Sequence, residues 1–284
     1  MIENQVSNTA LWTAYMRAYH TRHAANKVFD DFLAYDLVPG DVRERIEQQI
    51  IPDIFLPATS SVVSRARYTE DTLEKAARQG VKQYVILGAG MDTFAFRRQD
   101  LMKQLKVFEI DHPLTQEFKL LRLADLGWER PENLHFIPVD FTKENLEAKL
   151  IRSSSYDPEA RSFFSWLGVT SYLTQEEVLT TLHSITNIAS SGSTLVFDYI
   201  DINEFNVNRL SKQIQESTEY LEKIDEPRKT GGFVSSRLAE DLAGSGLNLV
   251  ENLSPLDIER RYLKGFTDKQ HTLGYMNFAC AVIK

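Results

Sequence analysis

The sequence predicts an α/β fold built on a Rossmann-like, mainly parallel seven-stranded sheet. Three observations predict it. Apolar, strand-like runs at 83–87, 106–110, 134–139, 162–167 and 194–199 alternate with helical patterns at 92–102, 114–126, 142–151 and 174–189. Such alternation builds consecutive βαβ units. The first strand runs into a glycine turn, Leu87-Gly88-Ala89-Gly90, and the second ends on acidic Asp111, the arrangement of a nucleoside-binding sheet edge. Two more strands, at 247–253 and 275–283, close the chain.

The other elements follow in order. Residues 7–37 read as helical, with Leu11, Tyr15, Ala18 and Tyr19 on one stripe. Pro39-Gly40 breaks that pattern, and Pro52 and Pro57 bracket an irregular apolar stretch. A helix over 64–79 stops at Gly80. Thr174-Gln175-Glu176-Glu177 forms a capping box before Val178, Leu179, Leu182 and Ile185 at helical spacing. After the fifth strand, 202–229 is polar and helical, ending at Pro227 and the Gly231-Gly232 turn. A helix at 235–244 precedes the last two strands. The chain therefore divides into a helical cap (1–63), a ligand-binding core (64–201), a lid insertion (202–232) and a sheet completion (233–284) within one domain of 284 residues.

Composition narrows the function classes. The net charge of −8, with no long Lys/Arg block, argues against a nucleic-acid partner. No apolar run approaches the roughly 18 residues that span a bilayer, and the start, Met1-Ile2-Glu3-Asn4-Gln5, is polar. A cytoplasmic protein off the membrane is expected. The single cysteine, Cys280, lies in the apolar run 278–283 and reads as a small core residue. His20 and His23 stand three apart on a helix without a third ligand. They read as exposed helix residues, and no metal site is expected.

The glycine turn carries the cofactor argument. A dinucleotide fingerprint wants a third glycine, and Thr93 stands there. S-adenosyl-L-methionine has no pyrophosphate and needs only a close backbone approach for its amino-acid part. Asp111, just past its strand, is better placed than Glu109 to hold a ribose, because ligands bind outside the carboxyl ends of the strands. Asp140 follows the third strand in Val139-Asp140-Phe141. It suits an adenine amine or a helix N-cap equally, although Thr142 also fits the cap. The fourth strand runs into Leu167-Gly168-Val169-Thr170-Ser171-Tyr172, where a transferred methyl group would meet its acceptor.

Several ordered motifs resemble one family. They are Thr9-Ala10-Leu11-Trp12, Arg17-Ala18, Phe29-Asp30-Asp31-x-x-Ala34, Arg65-x-Arg67-Tyr68, Leu87-Gly88-Ala89-Gly90-Met91-Asp92-Thr93, Phe108-Glu109-Ile110-Asp111-His112-Pro113, Val139-Asp140-Phe141 and Gly168-Val169-Thr170-x-Tyr172-Leu173. The chain resembles the leucine carboxyl methyltransferase family, particularly its bacterial branch of small-molecule O-methyltransferases. The likeness is good over about 7–200 and weak beyond. It implies the class I methyltransferase sheet, S-adenosyl-L-methionine as cofactor and a small-molecule acceptor, with a place in secondary metabolism. It further implies that Arg65 pairs with the methionine carboxylate and that Gly88, Ala89 and Gly90 line the cofactor. Asp111 would hold the ribose, and Asp140 with Phe141 the adenine. Leu167 stands at a cofactor-lining position where the eukaryotic phosphatase-modifying members carry glutamate. That departure removes one polar contact and counts against a protein-phosphatase substrate.

A carboxylate acceptor is already ionised at neutral pH, because model carboxyls titrate near 4, and then needs alignment rather than a base. A phenol, titrating near 10, would benefit from one. His112 is the candidate by position, set against a plain role as helix residue before Pro113. Arg17 and Tyr172 stand as contacts to acceptor or cofactor carboxylate, or as structural groups. Two rival classes share the strand–turn–strand logic. One is an NAD(P)-dependent reductase, disfavoured by Thr93 and by the lack of a Tyr-x-x-x-Lys pair near the fourth strand. The other is a non-catalytic nucleoside-binding module. Monomer and homodimer both remain open.

Overall fold

The structure is a computed structural model that describes residues 6–141, 143–208, 212–223, 226–229, 231–264 and 271–284. The polar start at 1–5, the alternative cap Thr142 and parts of the 202–232 insertion lie outside that set. The order is α1 (Asn8–His23), α2 (Ala34–Leu37), α3 (Gly40–Gln48), α4 (Pro52–Arg78), β1 (Gln83–Leu87), α5 (Phe94–Arg97), α6 (Gln99–Met102), β2 (Lys106–Asp111) and α7 (Pro113–Asp125). Then come β3 (Leu134–Pro138), α8 (Leu146–Ile151), β4 (Ser162–Trp166), α9 (Gln175–Ile188), β5 (Thr194–Ile200), α10 (Ile202–Asn208) and α11 (Lys212–Lys223). The chain closes with α12 (Leu238–Gly244), β6 (Leu247–Leu253), α13 (Pro255–Tyr262) and β7 (Met276–Ile283).

Seven strands form one sheet in the order β3-β2-β1-β4-β5-β7-β6. The first five run parallel, and β7 is antiparallel to both β5 and β6. Every residue of β1 and β4 is buried, as expected of central parallel strands covered by helices on both faces. The reversal between β1 and β4 opens a crevice at the carboxyl ends, where α/β sheets bind ligands. All seven strands fall within about one residue of the runs read from sequence.

The helices depart more. The pattern over 7–37 is not one helix: α1 ends at His23, and the next ten residues fold back on it. Buried His20 accepts the Val28 N–H at 2.9 Å, and Thr21 accepts the Asp31 N–H at 2.8 Å. His20 is therefore not the exposed helix residue expected, and His23 bonds the Tyr19 carbonyl at 2.9 Å. Pro39-Gly40 starts a helix rather than ending one. The helix expected over 64–79 begins twelve residues earlier, at Pro52. Pro52 suits the first turn, and Pro57 removes only one bond, near the start where Asp53 is exposed. The 92–102 pattern breaks into α5 and α6 at Arg98, whose ψ of 57° is not helical. The helix expected from 142 starts at Leu146, capped by the Asn145 side chain. The Thr174 capping box forms. Cys280 is a buried core thiol, pushed up to about 12 by burial. Among the described residues no helix is long and apolar enough to cross a membrane.

One buried ion pair braces the crevice from behind. Lys119 of α7 and Glu109 of β2, each 1% exposed, meet at 2.5 Å, and the Lys119 ammonium also donates to the Asp92 carbonyl at 2.7 Å. Burial raises the Glu109 carboxyl to about 7 against the pull of Lys119. Lys119→Met, which strands the carboxylate, should cost about 3 kcal/mol in urea unfolding. Adding Glu109→Leu should recover most of that loss.

Candidate functional site

A cavity of about 650 Å³ opens at the carboxyl ends of β1, β2, β4 and the loop after β3, under a roof of α1, α4 and α11. Its floor is the glycine turn. Gly88 and Gly90 adopt φ of 73° and 51°, a region that L side chains rarely occupy. A methyl group on Gly90 would lie 3.1 Å from Ala10 of α1, and one on Gly88 would collide with Val169. The turn is thus held between α1 and the loop after β4, and it presents mainly backbone to the cavity.

Asp111 closes the turn. Its carboxylate accepts the Gly90 N–H on one oxygen and the His112 N–H, at 2.6 Å, on the other. Burial pushes its pKa up, while these two N–H groups and Lys119 oppose the rise. A carboxylate has about four acceptor positions, so two hydroxyls can still bind. Glu109 does not line the cavity; its carboxylate is committed to Lys119.

Asp140 and Phe141 border the cavity beside His112. The Asp140 Oδ2 lies 3.5 Å from Lys143 Nζ and 3.8 Å from His112 Nε2. Asp140 does not cap α8, because Asn145 does. The His112 ring caps α7, its Nδ1 accepting the Leu114 N–H at 3.4 Å. With Nδ1 as acceptor the proton sits on Nε2, an assignment from the hydrogen-bond network.

Arg65 reaches the opposite wall. Its Nη1 pairs at 2.6 Å with Asp198 Oδ2, whose side chain is 1% exposed. Asp198 Oδ1 accepts the Gly168 N–H at 2.6 Å, and the Asp198 carbonyl accepts from Thr170 Oγ1 at 2.9 Å. One carboxylate at the end of β5 therefore fixes both Arg65 and the loop after β4. Leu167 lines the cavity and packs on the core cluster that includes Ile86 and Phe278. Tyr172 also lines it. Burial raises its phenol, with the Arg228 charge, the Arg65 charge and a Thr9 hydroxyl bond opposing. The group stays protonated at neutral pH.

Arg17 is turned to structure. It donates to Asp31 at 2.8 Å and to the Met91 carbonyl at 2.7 Å. Buried Thr93, at the third-glycine position, donates to the same Asp31 at 2.7 Å. Sequence reasoning missed Asp198, Glu226 and Arg228. Asp198 had a signal: a lone carboxylate inside the apolar run Leu195-Val196-Phe197-Asp198-Tyr199-Ile200 needs a buried donor. Among the described residues no group of three His, Cys, Asp or Glu side chains is placed to hold a metal.

Comparisons with known proteins show the family. The profile of the leucine carboxyl methyltransferase family matches residues 10–186. The YktD protein of Bacillus subtilis strain 168, whose name places it among S-adenosyl-L-methionine-dependent methyltransferases, is 34% identical over the whole of both chains. A Mycobacterium marinum protein named for the same activity is 32% identical over 64% of this chain and 63% of its own length. Among solved structures, a DUF574 family protein from Streptomyces avermitilis superposes with TM-score 0.65 at 12% identity, covering 99% of this chain and 98% of that one. A methyltransferase-like structure from Thermobifida fusca gives 0.63 at 10% identity, covering 100% and 96%. Fold and relatives together define a class I S-adenosyl-L-methionine-dependent methyltransferase. The chain belongs to the leucine carboxyl methyltransferase family.

The Arg65–Asp198 pair is the least replaceable contact in this wall. Asp198→Ala removes the counter-ion of a largely buried guanidinium and the acceptor of the Gly168 N–H. Denaturant unfolding should show a loss of about 3 kcal/mol. A loss below about 1 kcal/mol, the scale of a solvent-screened pair, would refute that ranking.

Proposed function

We propose that the protein transfers the methyl group of S-adenosyl-L-methionine to an oxygen of a small-molecule acceptor, a carboxylate before a phenol, in secondary metabolism. The residues fit the cofactor. A backbone-only turn at Gly88, Ala89 and Gly90 suits the methionine part, and spare lone pairs on Asp111 suit the ribose. Asp140 and Phe141 border the adenine end, Leu167 supplies an apolar wall, and the Arg65 nitrogens not paired with Asp198 suit the methionine carboxylate. The bound cofactor supplies a methyl group made electrophilic by its sulfonium.

The observation that carries the carboxylate reading is the state of the two candidate bases. The His112 ring is committed as a helix cap, and the Tyr172 phenol is raised by burial. Neither is set to take a proton from a phenol. An acceptor that arrives ionised needs none, and the protein then contributes alignment and exclusion of water.

Two measurements test this reading. Asp111→Ala should weaken S-adenosylhomocysteine binding by about 2 kcal/mol in calorimetry, since a charged hydrogen-bond acceptor is lost. Unchanged affinity would remove Asp111 from the site. For the reaction, thioether release would be followed over a panel of aryl and alkyl carboxylic acids and phenols from pH 5 to 9. Carboxylate turnover should be flat above about pH 6, because the acceptor is then ionised. It should also survive His112→Asn. A phenol-only activity that rises with pH and drops roughly 100-fold in His112→Asn would replace the carboxylate reading with base catalysis.

A further inference from the structure

Most cationic side chains at the cavity have an anionic partner. Arg17 has Asp31, Arg65 has Asp198, Arg97 has Glu70, Lys143 has Asp140 and Lys229 has Glu177. Arg228, in the strap that follows α11, differs. One terminal nitrogen donates to Ser217 Oγ at 3.3 Å, and the guanidinium stands 5.6 Å from the Tyr275 ring centroid. The other terminal nitrogen is buried and, among the described residues, has no acceptor. Among the described residues no carboxylate pairs with Arg228. The neighbouring Glu226 is spent on the start of α1, where its oxygens accept the N–H groups of Asn8 at 2.6 Å and Thr9 at 3.0 Å.

A guanidinium stays charged at any physiological pH, and a part-buried charge without a counter-ion is costly. The strap nevertheless holds it at the cavity. Glu226 pins one side to α1, and on the other the Lys229 N–H donates to the Ser171 carbonyl at 2.9 Å. The charges of Arg228 and Arg65 both act on the Tyr172 phenol, so Arg228 sits beside the loop where acceptor and methyl group meet. The lining of the same cavity includes the apolar and aromatic side chains of Trp12, Phe55, Tyr220, Leu221, Leu273 and Met276. Trp12 meets Tyr220 edge-on at 5.1 Å and Phe55 at 6.3 Å.

We propose that the methyl acceptor is an apolar, aryl-bearing carboxylic acid whose carboxylate pairs with Arg228 while its apolar part lies against Trp12, Phe55 and Tyr220. This rests on the O-methyltransferase reading and names its substrate class. A carboxylate against the cavity-facing part of the guanidinium supplies the missing counter-ion. It also leaves Arg65 to the methionine carboxylate, giving two separate anion sites.

The test is binding, independent of turnover. The full-length protein saturated with S-adenosylhomocysteine is titrated with 3-phenylpropanoate and with its uncharged isostere 3-phenylpropanamide. The acid should bind at least ten-fold more tightly than the amide. Arg228→Met and Arg228→Gln should erase that preference, and Arg228→Lys should restore part of it, with S-adenosylhomocysteine affinity unchanged throughout. An acid preference that is absent in the wild type, or that survives in both neutral variants, overturns the proposal. So does a fall in S-adenosylhomocysteine affinity in the neutral variants, which would make Arg228 a cofactor residue. The two readings fail separately: acid preference without methyl transfer to any oxygen acceptor would sink O-methylation alone, and methyl transfer without acid preference would sink the role of Arg228 alone.

Discussion

Two buried carboxylates, Asp31 and Asp198, and the half-buried Asp111 tie the loops at the carboxyl edge of the sheet to one another. A carboxylate taken out of water must find donors, and here most of the donors come from other segments of the chain. Asp31 gathers Arg17, Thr93 and Arg97. Asp111 gathers the N–H groups of Gly90 and His112. Asp198 gathers Arg65 and Gly168. Each therefore fixes one stretch of the cavity wall, and backbone groups that would otherwise need water are already satisfied at the rim. The ligand side of the edge is left with spare lone pairs and N–H positions in preset directions, which is what a cofactor with a polar sugar and an amino-acid end requires.

This explains what was legible in the sequence. The strands were readable because a parallel sheet covered on both sides demands continuous apolar runs, and β1 and β4 supply them without a single exposed residue. Gly88, Gly90 and Asp111 were readable because their partners are neighbours on adjacent strand ends, within a familiar spacing. The helices were harder where side chains override the local pattern. His20, Thr21 and Arg17 pull the chain back after His23, although 7–37 reads as helical throughout. Pro57 looks like a breaker yet falls near enough to the start of α4 to cost a single bond. Asp198 and Arg65 are 133 positions apart, so no local pattern joins them. Arg228 carries no motif; its meaning lies in which partners it lacks, and that is visible only once the fold assembles its surroundings.

The charge arrangement also separates two tasks that one cavity must perform. A methyltransferase holds a cationic donor and an acceptor at the same time, and a stray anion in the wrong place would stabilise the donor rather than the transition state. Here most carboxylates at the cavity are neutralised by an arginine, a lysine or backbone N–H groups.

Helix α1 connects these tasks. Its first residues, Asn8 and Thr9, hold Glu226 of the strap, and Ala10 backs the Gly90 turn. Arg17, two turns on, bonds the Met91 carbonyl that follows the same turn. Trp12 faces Tyr220 of α11 across the roof. A single rigid element thus touches the glycine turn, the roof and the strap. Motion of the strap is opposed by bonds to α1, and α1 is in turn locked to the glycine turn proposed to seat the methionine part. Filling one half of the cavity is therefore expected to order the other, because both halves share a wall whose bonds form together.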